Sequence, residues 1–408
     1  MRKSGIKKTA SLVGSLLISL YAAELVLSFF PAISSQSTTE ILKQLARARG
    51  WPFDDRAKWE AVEDQRKSDK NWYPAVGSSN FTVGGSLNIS GNQVIPLTGV
   101  ANANILYCNE SGFYTTYASD EFGFHNPAGI WQKTGKVDIA FVGDSFTNGA
   151  CVRQGEGFVD RIRQLYPQTV NLGAGGNGPL SELAAIKEYL MDRKLGYVFW
   201  VYAEENDLSD LFQSEVKQPI LMKYVNEEGF SQHLISNRDA INSTMISLLN
   251  EQLEDAKSAA RSHSSVTHHL LLRNIREALF KLETSYSRPQ TATYKLDLFR
   301  AILAISKSDV ERNGGRLVFV YLPEFARYGS DPDSGKRSGA PMREEVLNLV
   351  KSLDIDVIDI DSAFRQLDDA KSVFPFEVHN HYNAGGNMIV ACEILRYLSR
   401  KDSNVCSK

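Results

Sequence analysis

The chain has little that could hold a metal or a redox centre. Its 408 residues include four cysteines, Cys108, Cys151, Cys392 and Cys406, far apart and without CxxC or CxxH spacing, which argues against a zinc or iron–sulfur site. Excess positive charge is also missing. Lys and Arg total 45 against 48 Asp and Glu, for a net charge of −3 and an isoelectric point near 6.2. With no run of alternating basic and aromatic residues, nucleic acid is a poor partner. The glycine-rich stretch 173–178 lacks the Lys-Ser/Thr of a phosphate loop and no acidic metal cluster accompanies it, which speaks against nucleotide or kinase chemistry. His263, His268 and His269 stand close together without carboxylates at ligand spacing and read as solvated. No cofactor is implied. There is no internal repeat and no low-complexity tract.

What is present is an ordinary globular composition, 43% hydrophobic and 23% charged, with apolar residues spread along the length. The first thirty residues differ. Arg2, Lys3, Lys7 and Lys8 precede an apolar or small-residue run from Ala10 to Phe30, and Pro31 follows. Roughly 20 residues suffice to span a bilayer, more than the core of most cleavable leaders, so residues 1–34 are expected to be an uncleaved anchor. Ala32-Ile33-Ser34 is a weak cleavage match, which keeps a processed leader as the alternative. Glu24 within the run costs about 2.5–3.5 kcal/mol at a helix centre. Four positive charges before the run and none after it until Lys43 orient the N-terminus to the cytoplasm and the remainder to the periplasm or the exterior. That compartment permits disulfides. Cys108 with Cys151 is the preferred pair, although spacing does not fix connectivity.

Beyond the anchor, residues 35–130 read as a stalk and a small β-rich appendage: an amphipathic helix from Thr38 to Gly50, a charged segment from Trp51 to Tyr73, then short strands and turns rich in Gly, Asn, Ser and Thr. From residue 131 to 408 the pattern becomes strand, turn, helix. Apolar runs at Val137–Val142, Thr169–Leu172, Tyr197–Tyr202, Arg316–Leu322 and Asp354–Ile360 predict a five-stranded, doubly wound parallel sheet of flavodoxin-like α/β type. Residues 211–313 carry apolar side chains at helical spacing and are expected to form a helical insertion, as a cap or lid.

Four segments place chemistry at the carboxyl ends of those strands. Gly143-Asp144-Ser145 follows the first strand. Ser145 would stand at the sheet edge with its backbone N–H turned into the same space, although Gly-Asp-Ser alone could equally be a turn with an N-cap serine. The Gly173–Gly178 turn follows the second strand and lets backbone approach a ligand. Asn206 follows the third, where an Asn-Asp turn or helix cap is the plainer reading. His381 precedes the last helix, and a neutral imidazole is the base that a serine needs near pH 7.

These four blocks, in this order, resemble the SGNH (GDSL-like) hydrolase superfamily, and the match runs from about Lys136 to the end apart from the insertion. The resemblance implies Ser145 as nucleophile, Gly176 and Asn206 as oxyanion donors, and His381 as base through the pattern His381-x-Asn383-x-x-Gly386. It also exposes a departure. The family places an aspartate two or three residues before the histidine, and here those positions hold His379 and Val378. Glu377, four residues before His381, is the candidate third triad member, with a backbone carbonyl orienting the ring of a Ser–His dyad as the other choice, and a register pairing Glu377 with His379 makes His379 the alternative base. Cys108-Asn109-Glu110-Ser111-Gly112 and Ser119–Phe124 look like an appendage of bacterial membrane-anchored relatives, to which the resemblance gives no chemistry. The implied activity is an esterase acting on O-acyl groups of cell-surface glycans through an acyl-enzyme. O-acetyl transfer in surface-polysaccharide synthesis, or an inactive glycan-binding or assembly role, are the alternatives.

Overall fold

In the computed structural model the described residues are 19–21, 38–132, 135–262, 296–329, 342–378, 381–399 and 406. Most of the expected anchor, the insertion histidines His263, His268 and His269, and His379 lie outside them. No helix among the described residues is long and apolar enough to cross a membrane.

Residues 72–118 form five three-residue strands: β1 (Trp72–Pro74), β2 (Leu87–Ile89), β3 (Asn92–Val94), β4 (Asn104–Leu106) and β5 (Thr116–Ala118). β4 pairs parallel with β1 and antiparallel with β5, and β2–β3 is a separate hairpin. The main sheet follows: β6 (Lys136–Val142), β7 (Thr169–Asn171), β8 (Lys194–Ala203), β9 (Arg316–Leu322) and β10 (Asp356–Asp359). All of its pairings are parallel and its spatial order is β10-β9-β8-β6-β7. Numbered within the sheet this is 2-1-3-4-5, the flavodoxin-like order, with its topological switch between β6 and β8.

The strand interiors are mostly apolar because both faces are covered. Apart from Val137 at the start of β6, alternate residues divide between two cores. Val137, Ala140 and Val142 of β6, Val198, Trp200 and Tyr202 of β8, and Leu317, Phe319 and Tyr321 of β9 face the helices Pro179–Tyr189, Asp297–Arg312 and Arg343–Ser352. Ile139 and Phe141, Phe199, Val201 and Ala203, and Val318, Val320 and Leu322 face Phe158–Leu165, Ile360–Phe364 and Ala384–Ser399.

The appendage shares the first of these cores, which also contains Tyr73, Ile89, Val94, Ile105 and Tyr117. Polar contacts add to the join. The Asn126 side chain donates to the Asn171 carbonyl and accepts from the Asn171 N–H, at 2.9 and 2.8 Å, so one amide pairs with the edge of β7 as a strand would. The two longest helices of the described part of the insertion have different roles. Asp297–Arg312 is a sheet-covering crossover helix, burying Phe299, Ile302, Leu303 and Val310. Helix Arg238–Ser262 packs on the appendage instead: Ile241, Met245 and Leu249 enter the shared core, and Leu253 meets Ala61, Val62 and Leu106.

Candidate active site

The switch point between β6 and β8 lies at the carboxyl ends of the strands, where open α/β sheets place their ligand sites, and the sequence delivers its polar residues there. β6 stops at Gly143 because nothing larger fits: a Cβ on this residue would lie 2.1 Å from Thr147 Oγ1 and 3.0 Å from the Val201 carbonyl. The chain turns at once into the short helix Ser145–Asn148, capped by Asp144, whose carboxylate accepts from the Phe146 N–H at 2.8 Å. Ser145 is thereby the first residue beyond the strand whose side chain is partly open to solvent.

The turn after β7 is locked beside this one. Ala174 N–H donates to the Gly143 carbonyl at 3.3 Å, and Asn148 Nδ2 donates to the Gly173 carbonyl at 3.2 Å. Gly176 sits at φ +72°, and a Cβ there would come within 2.2 Å of Ser79 Oγ, so backbone conformation and crowding both require glycine. Ser78 Oγ fixes the turn by donating to the Gly176 carbonyl at 2.9 Å. Residues of the appendage thus brace the candidate oxyanion loop. After β8, the Asn206 amide donates to Asp210 at 2.8 Å and also hydrogen-bonds toward the Asp144 carboxyl. This brings Asn206 beside the Ser145 turn.

His381 completes the group. Its Nε2 lies 2.7 Å from Ser145 Oγ, and its ring packs 4.7 Å from that of Phe146. Nδ1 lies 2.9 Å from Glu110 Oε1, while the His381 backbone N–H donates to Glu110 Oε2 at 3.0 Å. A carboxylate can only accept, so Nδ1 carries the proton and the Nε2 of the neutral ring accepts from the serine hydroxyl. Burial opposes the charged imidazole, but the charge and hydrogen bond of Glu110, joined by the charges of Asp144 and Glu205, outweigh it and push His381 up to about 9.

The carboxylate that contacts His381 is Glu110, not Glu377. The chain passes Phe376 and Glu377 at positive φ, 55° and 58°, and the Glu377 carboxylate stands half-exposed, 3.9 Å from Arg49. Glu110 comes from the appendage, about 270 residues before the histidine that it holds. Motif spacing could not find it, but the cysteines could. Glu110 is two residues past Cys108, Cys151 is six past Ser145, and Cys108–Cys151 is a disulfide. A second disulfide joins Cys392 and Cys406.

Further acids are buried near Asp144. Asp144, Glu182, Asp207 and Glu215 are at most 1% exposed. Glu215 caps the helix Pro179–Tyr189, accepting from the N–H groups of Gly178, Leu180 and Ser181. Both carboxyl oxygens of Glu182 and both polar atoms of Asn177 lack hydrogen-bond partners. Burial, then the nearby charges of Asp144, Glu215 and Asp210, hold Glu182 well above the usual carboxylate range. Burial likewise raises Asp144, against the opposing charge of His381.

No protein-family model and no curated protein matches the sequence. Solved structures do. An acetyl xylan esterase from Geobacillus stearothermophilus aligns at 15% identity over 66% of this chain and 100% of its own, with a TM-score of 0.36. A GDSL-family lipolytic protein from Desulfitobacterium hafniense aligns at 13% identity over 64% and 99% respectively, with a TM-score of 0.35. The acetyl xylan esterase AlAXEase aligns at 10% over 64% and 98%, with a TM-score of 0.34. At such low similarity the fold rests on this chain's own strand order.

Proposed function

We propose that the protein is a serine esterase with the triad Ser145–His381–Glu110, anchored by its N-terminal segment so that this site faces away from the cytoplasm, and acting on O-acyl groups of surface glycans. The observation that carries the catalytic part is the chain of contacts from Glu110 through both ring nitrogens of His381 to Ser145 Oγ. It is the arrangement in which a base activates a hydroxyl and a third group fixes the base's tautomer. It also speaks against an inactive binding role, for which a histidine turned away from the serine is expected.

As Ser145 Oγ attacks the ester carbonyl, its proton passes to His381 Nε2. The imidazolium that forms is stabilised by Glu110 across Nδ1. Negative charge on the former carbonyl oxygen is met by the Ser145 and Gly176 backbone N–H groups and by the Asn206 amide, which turns one hydrogen from its acidic neighbours to the oxyanion. His381 then returns the proton to the leaving alcohol. Water, deprotonated at the same nitrogen, attacks the acyl-serine and frees the acid. The polarity of the sheet edge suits a hydroxylated leaving group, and the positive charges before residue 10 and the two disulfides favour the extracytoplasmic placement.

The test is hydrolysis of aryl acetates and of acetylated oligosaccharides by the purified protein, with released acetate measured. Turnover that disappears in Ser145→Ala and His381→Ala is expected. A folded wild type that releases no acid from either substrate class overturns the esterase reading, and acetate passing to an added sugar hydroxyl in preference to water would make it a transferase.

A further inference from the structure

Glu110 occupies the tip of the β4–β5 hairpin. The last rungs of that hairpin are Tyr107 N–H to the Thr115 carbonyl at 2.8 Å and Thr115 N–H to the Cys108 carbonyl at 2.9 Å. Beyond them, residues 109–114 form a loop whose other backbone partner is also N-terminal: Asp54 N–H donates to the Gly112 carbonyl at 2.8 Å, and Asn109 donates to the Asp54 carbonyl. None of these bonds reaches the Ser145–His381 group. The contacts between the tip and that group include the Glu110–His381 pair itself, the Arg153 guanidinium lying 4.2 Å over the Phe113 ring, and the Cys108–Cys151 disulfide.

That bridge is placed at both ends of the catalytic contact. Cys108 is two residues from Glu110. Cys151 follows the nucleophile helix, where Ala150 N–H still bonds to the Ser145 carbonyl at 3.0 Å, and it is 1% exposed. Its Sγ lies 3.6 Å from His381 Nδ1, the nitrogen that Glu110 holds.

We propose that the Cys108–Cys151 disulfide is a positioning group for the acid–base pair, so that the site is competent only while the bridge is oxidised. This rests on the triad reading above and names how that site is assembled. Opening the bridge removes the one covalent tie between the tip and the nucleophile segment. It also leaves a titratable thiol beside Nδ1 in place of the neutral bridge. The reductant is a dithiol. One of its thiolates attacks a bridge sulfur and expels the other cysteine as thiolate. Its second thiolate then displaces the first cysteine, closing a cyclic disulfide. Two electrons pass from the dithiol to the bridge, and the two dithiol protons end on Cys108 and Cys151.

The experiment compares four forms of the full chain: oxidised wild type, wild type in anaerobic dithiothreitol, the double variant Cys108→Ser/Cys151→Ser, and the control Cys392→Ser/Cys406→Ser with and without dithiothreitol. The readouts are kcat and KM on an aryl acetate and the NMR titration of the His381 ring nitrogens. Loss of Glu110's hold is expected to lower kcat on its plateau above about pH 9 about tenfold or more, with KM little changed. It should also move the His381 midpoint down from about 9 toward the ordinary 6.5, with recovery on reoxidation. The Cys392→Ser/Cys406→Ser control should be fully active until dithiothreitol is added.

A folded Cys108→Ser/Cys151→Ser protein that keeps wild-type kcat and an unmoved His381 midpoint overturns the proposal and leaves the bridge a plain staple. If that variant does not fold, reduction and reoxidation of the folded wild type decide the matter by the same two readouts. Failure of the esterase reading is distinguishable: no form would then turn over ester, yet the titration midpoint still reports whether the bridge positions Glu110.

Discussion

Replacing Glu110 by Gln removes the charge behind His381 while keeping a carbonyl oxygen of the same reach. Moving the imidazole from 6.5 to about 9 amounts to about 3 kcal/mol of preference for the imidazolium. The His381 and Glu110 side chains are 24% and 19% exposed, so solvent screens part of this, and a working range is about 1.5–3 kcal/mol. Where the wild-type ring is already neutral, above about pH 9, that whole amount favours the transition state, which contains the imidazolium. Glu110→Gln should therefore lower the high-pH plateau of kcat/KM by about 10- to 100-fold.

At pH 7 the expectation differs. The folded wild type holds the extra proton between the ordinary and the raised midpoint, and releasing it costs about what the transition state later recovers. The charge effect should then shrink to a few-fold, with the inflexion of the profile falling from about 9 toward 6.5 or below. The assay is aryl acetate hydrolysis from about pH 5.5 to 10 with the uncatalysed rate subtracted. An inflexion that stays near 9 in Glu110→Gln would refute the assignment of Glu110.

Three further outcomes are expected. Asn206→Ala should lose about 2.7–4 kcal/mol of transition-state stabilisation, read as a roughly 10²–10³ lower kcat with little change in KM. An unchanged kcat would remove Asn206 from the oxyanion site. Gly143→Ala forces a methyl group against Thr147 and the Val201 carbonyl, an overpacking that costs about 1–3 kcal/mol, and thermal denaturation should show a lower Tm. Glu182 keeps its proton in the folded protein to a higher pH than in the unfolded chain. Its burial is therefore harmless at low pH and increasingly destabilising as pH rises above the unfolded carboxyl's pKa. Glu182→Gln should gain Tm relative to wild type between pH 5 and pH 9, and a difference that is constant with pH would contradict the buried-acid account.

The parallel sheet was legible because its strands are buried on both faces and read as mostly apolar runs. All five were located within a few residues of their ends, from Val137–Val142 to Asp354–Ile360. Ser145 and His381 were legible for a related reason: each lies at the end of a strand or the start of a helix, where local sequence fixes position. Glu110 was not. A hairpin tip supplies it across a contact that no spacing rule spans, and a nearer carboxylate, Glu377, drew the expectation although its backbone carries it toward Arg49. The cysteine pair held the information, since it ties the Glu110 loop to the Ser145 turn. The insertion was similarly half-read. Helical periodicity announces helices but not their neighbours, and Asp297–Arg312 belongs to the sheet while Arg238–Ser262 braces the appendage.

The central claim is that Ser145 is an activated nucleophile. It is tested most directly by incubating the oxidised protein with a fluorophosphonate at neutral pH and mapping the adduct by peptide mass spectrometry. One phosphonyl group on Ser145, absent from His381→Ala and formed more slowly in Glu110→Gln, is the expected result. A folded wild type that stays unlabelled, or is labelled on another serine, would contradict it.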